Sequence, residues 1–195
     1  MQRYMDALSS KPLLFTTRLI LRSPNERDIA AIIKIAGDWE VARRLAGVPH
    51  PYDEADAEFF LDTIVTASMV WMITERSSEK VVGVVGLTLQ EPASKVVLFG
   101  YYVARDHWGR GIATEAGSVV LAYGIGLVGE TALASSFFVD NPASGRVLEK
   151  LGFVRSGAFE QYCLATDELK PSVKMLLVGG LSSSGVSRQT FVAGQ

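Results

Sequence analysis

Arg105-Asp106-His107-Trp108-Gly109-Arg110-Gly111-Ile112-Ala113-Thr114-Glu115-Ala116 is the stretch whose reading decides the fold. An apolar run ends where it begins, two glycines one residue apart follow, and helical spacing starts at once. That order spells a strand, a turn free of Cβ obstruction, and a helix N-terminus whose unpaired backbone N–H groups face outward. Such a corner attracts phosphate, because several N–H groups can each donate to a phosphoryl oxygen and the helix dipole adds partial positive charge. Gly109 and Gly111 let an anion approach the backbone, Ala113 keeps the first turn uncrowded, Thr114 adds a hydroxyl, and Arg105 or Arg110 adds charge. The same glycines also make a plain strand-to-helix turn. No Gly-Lys-Ser/Thr follows, as a Walker loop needs, and the three-glycine dinucleotide fingerprint is absent.

Upstream, three strand-like segments run over Met69 to Thr74, Val81 to Leu89 and Lys95 to Ala104. The short links Ser77-Ser78-Glu79 and Glu91-Pro92-Ala93-Ser94 predict antiparallel neighbours. The third segment is apolar at almost every position, which predicts a central strand covered on both faces. Gly100 within it marks a bulge or a close backbone approach. Further upstream, Leu13 to Arg22 reads as one strand closed by Ser23-Pro24, and Asp28 introduces a helix through Ile29, Ile32, Ile33 and Ile35 that Gly37 stops. A second short helix covers Asp38 to Leu45, and Val48-Pro49-His50-Pro51-Tyr52 is a stiff connector. Asp53 caps a helix with Ala57, Phe60, Leu61 and Ile64 on one face.

Downstream, the helix opened by the glycine turn points Ile112, Ala116, Val119, Val120 and Tyr123 inward, and a strand follows from Thr131 to Val139. Strand, helix and strand make a right-handed βαβ unit with parallel strands. Asp140-Asn141-Pro142 starts a helix carrying Val147, Leu148 and Leu151 that Gly152 ends. Phe153 onward and Ser172 to Val178 supply a closing hairpin through a loop containing Cys163. The expectation is one α+β domain over residues 13–178: a three-layer arrangement in which helices flank a mixed sheet of about seven strands. An N-terminal extension, 1–12, precedes it and a Gly/Ser-rich tail, 179–195, follows.

Composition narrows the function. A chain of 195 residues holds one core, and 19 basic against 21 acidic side chains without a basic run argue against nucleic acid as a partner. The chain is 48% hydrophobic, with a mean hydropathy of +0.22, yet it has no 18-residue uncharged apolar run and so no membrane span. The first fifteen residues do not resemble a signal peptide, which sets the expected compartment as the cytoplasm. A lone Cys163 excludes an internal disulfide, and with only His50 and His107 as imidazoles no metal site is expected. The apolar content suits a homodimer.

The second informative stretch is Asn141-Pro142-Ala143-Ser144-Gly145-Arg146-Val147-Leu148-Glu149-Lys150-Leu151-Gly152-Phe153. Locally, Asn141 is explained as an N-cap, Pro142 as a first helical residue and Ser144 as a solvated hydroxyl. Taken with the glycine turn, this stretch closely resembles the GCN5-related N-acetyltransferase superfamily. Within that superfamily the chain looks most like the branch containing the ribosomal-protein N-terminal acetyltransferases. Thr17-Arg18-Leu19-Ile20-Leu21-Arg22, Pro51-Tyr52 and Gly100-Tyr101 add to the match, which spans about Leu13 to Val178.

The resemblance implies acetyl-CoA as co-substrate, with its pyrophosphate on the N–H groups of Gly109, Arg110, Gly111, Ile112, Ala113 and Thr114 and no metal. The pantetheine arm would lie where the fourth and fifth strands splay apart and pair with backbone around Tyr102 and Val103. Asn141 would contact the pantetheine, and Ser144 would protonate the departing thiolate. Trp39, His50 and Tyr52 would wall the pocket of the acceptor amine, a peptide N-terminus or a small molecule. Two positions depart from the family pattern: Asp106 stands where Gln or Arg is common, and Leu98 where a glutamate base is common. Glu160, Tyr101, His50 or a water chain remain as substitutes for that base. A non-catalytic acyl-CoA sensor or interaction module with the same fold is therefore the alternative. Of the other side chains, His107 is expected to be exposed, Trp108 to pack under the turn and Trp71 to lie in the core. Cys163 lacks the features of a nucleophile.

Overall fold

A computed structural model describes residues 2–90, 96–128 and 132–177. The tail at 179–195, Val178, Thr131 and the Glu91 to Ser94 link lie outside the described residues. The helices are α1 (Gln2–Leu8), α2 (Ile29–Ala36), α3 (Trp39–Ala42), α4 (Glu54–Phe59), α5 (Val65–Ala67), α6 (Ile112–Val128) and α7 (Pro142–Lys150). The strands are β1 (Leu14–Phe15), β2 (Leu19–Arg22), β3 (Met69–Glu75), β4 (Val81–Leu89), β5 (Val96–Val103), β6 (Ala132–Phe138), β7 (Phe153–Cys163) and β8 (Glu168–Leu177). They form an 8-stranded sheet in the order β1-β2-β3-β4-β5-β6-β8-β7. Every neighbouring pair is antiparallel except β5 and β6, which are parallel and flank the crossover helix α6.

The eighth strand arises at the start of the chain. Leu13 to Arg22 is not one strand, because it reverses between Phe15 and Leu19: Thr16 N–H donates to Leu19 O at 3.0 Å and Thr16 Oγ1 accepts from Leu19 N–H at 2.9 Å. The turn carries neither glycine nor proline, so alternation alone runs straight through it.

Two cores sit on the two faces of the sheet. One gathers Tyr4 of α1, Leu19, Trp71, Val97, Phe99, Val103, Ile112, Ala116, Val120, Leu148 and Phe153, with α6 and α7 laid against them. The other gathers Ile32, Ala57, Val65, Val70, Met72 and Val84 under α2, α4 and α5, with Tyr52 and Tyr102 packed against them. Asp53 caps α4 as predicted, in a reciprocal capping box with Asp56. The apolar face behind it shifts by one residue: Phe60–Ile64 is a π-helical turn, so Ile64 turns to solvent and Val65 takes the buried place.

The central strand is covered on one face only along part of its length. Val97, Phe99 and Val103 of β5 are buried against α6, whereas Leu98 is 37% exposed and Gly100 is exposed on the opposite face. The second helical layer reaches β5 through Tyr102 but stops short of those two residues. Gly100 makes no bulge, since the β4–β5 register runs unbroken through Gly86 and Gly100. Cys163 is the last residue of β7 and buried, not part of a loop. No helix among the described residues is long and apolar enough to cross a membrane.

Candidate active site

The sheet parts in its middle. β5 and β6 pair at Val96, Val97 and Leu98 with Ala132, Leu133 and Ala134, and there the ladder stops. One residue further, the buried Ser135 hydroxyl donates to Phe99 O at 2.8 Å, the last bond joining the two strands among the described residues. Beyond it the strands diverge, and Trp108, in the turn that follows β5, donates Nε1–H to Val103 O at 2.7 Å. Phe99 and Val103 thus face the gap with their backbone, and so does Tyr101 between them. Ala104 N–H points the other way, to Val82 O at 2.8 Å, and Tyr102 shares that direction, paired with Val84. The backbone donors open to the gap are those of Tyr101 and Val103. Tyr102, expected to present backbone there, instead contributes a phenol to the opposite face.

The glycine turn closes one end of this groove. Gly109 and Gly111 have φ of +74° and +76°, the left-handed region in which a side chain is strained. A Cβ at Gly109 would meet nothing within 4 Å, and one at Gly111 only Arg18. The first bond of α6 runs from Glu115 N–H to Gly111 O at 2.9 Å. The N–H groups of Ile112, Ala113 and Thr114 precede that bond and have no carbonyl within the helix. The corner is a cradle of free donors with room for an anion.

Charges around it are arranged to permit one. Asp106 turns toward Lys80, 4.0 Å away, and its own backbone N–H, then His107, Lys80 and Lys34, hold its carboxyl below the usual range. Arg105 and Arg110 are exposed, with no carboxylate partner among the described residues. His107 is buried, 6% exposed, because it sits between the turn and β3 with Nε2 3.6 Å from Glu75 Oε1, which corrects the expectation of an exposed imidazole.

On the other side of the groove stands α7. Asn141 caps it, accepting from Ser144 N–H at 3.4 Å, with Pro142 at the first helical position. Gly145 lets the helix sit down on β6, since a Cβ there would lie 2.7 Å from Phe137 Cζ. Ser144 is held toward the sheet, its Oγ 2.9 Å from the Tyr101 hydroxyl. Burial pushes the Tyr101 phenol up to about 12, against a smaller opposing effect of the Ser144 hydrogen bond, so it is a neutral donor at any ordinary pH. That removes Tyr101 as a base.

The opposite face carries the predicted acceptor wall. The Trp39 and His50 rings lie 5.0 Å apart, and Tyr52 packs into the same core cluster as Tyr102. Arg44 stands over the Trp108 ring at 5.0 Å, while Lys170 reaches from β8 to Arg43 O at 3.2 Å and to Asp140 at 2.6 Å, tying β8 to the segment after α3. Glu40 is no proton acceptor: hydrogen bonds from Arg43 and then Arg44 hold its carboxyl at about 2. Glu160 is exposed on β7 opposite Pro171, and no contact among the described residues links it to the groove. Trp71 is fully buried, as expected. A cleft lined by Pro24, Asn25, Glu26, Arg27, Leu61 and Val65 shares no residue with this groove.

A family profile described as Acetyltransferase (GNAT) domain matches residues 18–154. The chain belongs to the GNAT acetyltransferase family. This acetyltransferase is 30% identical over 156 residues to the uncharacterized N-acetyltransferase YoaA of Bacillus subtilis, covering 77% of this chain and 88% of the relative. Its fold is that of a GNAT-family acetyltransferase from Bacillus anthracis, with a TM-score of 0.73 at 19% identity over 85% of this chain and 98% of that one. It also matches a spermidine N-acetyltransferase from Vibrio cholerae, solved in complex with CoA and spermine, with a TM-score of 0.70 at 18% identity over 83% and 97%.

The acetyltransferase thus brings Gly109 to Thr114, Tyr101, Val103, Asn141 and Ser144 to the parted strands, sets the Trp39 ring beside His50, and packs Tyr52 with Tyr102 against the second core. Sequence reasoning missed Ser135, whose hydroxyl ends the ladder, and Arg18, whose guanidinium lies against Gly111. Neither carries a local signal: a serine inside an apolar strand and an arginine in a turn acquire meaning only across the sheet.

Proposed function

We propose that the acetyltransferase moves an acetyl group from acetyl-CoA directly to a primary amine, a protein N-terminus or a small amine, as the branch of ribosomal-protein N-terminal acetyltransferases does. The observation that carries this reading is the Ser144–Tyr101 hydroxyl pair facing a gap whose near end is the Gly109 to Thr114 donor cradle. The co-substrate supplies an activated thioester; the chain supplies everything that positions and protonates it. Ile112, Ala113 and Thr114 N–H groups take the pyrophosphate, and Tyr101 and Val103 offer strand-like pairing to the pantetheine amides. Asn141 lies where the arm passes α7. The amine nitrogen forms the new bond to the acyl carbon as the carbon–sulfur bond breaks. Ser144 Oγ–H gives its proton to the leaving sulfur while Tyr101 O–H donates to Ser144 Oγ.

The acceptor enters from the face of Trp39, His50 and Tyr52. Leu98 puts a side chain without a proton site where relatives of this type carry a carboxylate, so the ammonium proton leaves through His50 or water. No group of three or more metal-ligating side chains is found among the described residues. Incubation with acetyl-CoA and a panel of peptide amines, small amines and aminoglycosides, read by thiol release, tests the reading. Release with at least one amine class is expected; CoA binding without release across the panel would overturn transfer, and no heat of CoA binding would overturn the groove itself.

A further inference from the structure

One cation at the groove is held in place by a carboxylate that has no part in the chemistry. Arg18, in the turn between β1 and β2, donates Nε–H to Glu115 Oε2 at 2.6 Å, with Nη2 2.5 Å from the same oxygen. Glu115, in the first turn of α6, also accepts from Thr16 Oγ1 at 2.6 Å and from Arg18 N–H at 3.0 Å. Burial pushes this carboxyl up, but the hydrogen bonds from Thr16 and Arg18 outweigh it and the net direction is down, so Glu115 is a fixed anion. The guanidinium is fastened along one edge only. Two of its five N–H donors are taken, and the side chain is 53% exposed while Glu115 is 20% exposed. Nη2 itself borders the glycine turn, 3.6 Å from the place a Cβ on Gly111 would occupy, and its second N–H together with the N–H groups of Nη1 forms the free edge.

We propose that Arg18 is a phosphate-binding residue of the groove, turned by Glu115 so that its free edge engages the pyrophosphate of CoA beside the N–H groups of Ile112, Ala113 and Thr114. This rests on the acyl-CoA reading above and deepens it. An exposed ion pair alone adds little to stability. A guanidinium pinned along one edge has instead lost its rotamer freedom before the ligand arrives, and its fork matches two phosphoryl oxygens. Arg18 also supplies a cation at the corner where Asp106 offers none.

Calorimetric titration of the full chain with CoA and with dephospho-CoA, which keeps the pyrophosphate and lacks the 3′-phosphate, tests this. Arg18→Gln should weaken both ligands by the same factor, about tenfold or more, as loss of a charge-assisted hydrogen bond predicts. In turnover it should raise KM for acetyl-CoA and leave kcat within twofold. Arg18→Lys keeps a cation for Glu115 and so keeps the turn folded, but loses the fork; it should bind CoA at least threefold more weakly than wild type. Should Arg18→Gln fail to fold by circular dichroism, the lysine variant decides, and wild-type affinity in it overturns the proposal. Equal CoA affinity in wild type and Arg18→Gln overturns it while leaving the groove intact. A loss for CoA but not dephospho-CoA overturns the pyrophosphate assignment. A wild-type protein that binds neither ligand overturns the acyl-CoA reading itself.

Discussion

Ser144 and Tyr101 form a hydrogen-bonded hydroxyl pair whose parts come from α7 and β5. Ser144→Ala should lower kcat about a hundredfold, the usual worth of a positioned acid, with the Kd for acetyl-CoA within twofold. Tyr101→Phe, which leaves the serine hydroxyl without its donor, should lower kcat about tenfold. Unchanged turnover in the alanine variant, measured by thiol release, refutes the acid role. The buried phenols also set an alkaline limit. Tyr101 and Tyr52 are both pushed up to about 12, chiefly by burial, and Tyr102 is raised too by burial and by Tyr52. Between pH 10 and 12 the unfolded chain releases protons that the folded chain retains, so stability is complete below pH 10 and declines as pH rises toward 12. Urea midpoints should fall steadily over that range and fall less in Tyr101→Phe; a flat profile contradicts the burial argument.

At the scale of elements, the glycine turn, the parallel β5-α6-β6 unit and the Asn141–Pro142 cap were legible because each depends on residues within a few positions of one another. What was not legible depended on distance or on one inserted residue. The reversal at Thr16 to Leu19 is closed by a threonine hydroxyl, not by glycine or proline. The π-turn after Phe59 moves the inward face from Ile64 to Val65. His107 reads as surface until the chain folds it between Glu75 and Asp106. One element-scale contact is a direct test. Gly145 lets α7 approach β6 so closely that a side chain there would strike Phe137 at 2.7 Å. Gly145→Val should destabilise the protein by about 1–3 kcal/mol in urea and depress turnover by displacing Ser144. Wild-type stability in that variant would show that the helix seats differently.

Across the whole molecule, one core runs beneath both halves of the parted sheet, from Leu19 on β2 to Met175 on β8, and the other covers β3 and β4 on the second face. α1 belongs to the first core: Tyr4 is fully buried and its hydroxyl donates to Leu87 O at 2.7 Å on β4. Its few apolar residues carry too little periodicity to be read as a helix from sequence, and its anchor lies 83 positions away. Tyr4→Ala should cost about 3–5 kcal/mol by urea denaturation, a loss reserved for core aromatics. A cost under 1 kcal/mol would make α1 a loose appendage. The central strand was read as covered on both faces because its composition cannot report which neighbours stop short.

The bond from Ser135 to Phe99 O marks where β5 stops sharing its edge with β6, and this fixes a pattern that amide exchange can read. Tyr102 gives its N–H to β4 throughout and should exchange slowly in the free protein, while Tyr101 and Val103 on either side of it exchange fast. Adjacent amides of one strand would then differ by orders of magnitude in rate without any local unfolding. A ligand arm lying along the gap would slow the fast pair and leave Tyr102 unchanged, turning an alternating protection profile into a uniform one.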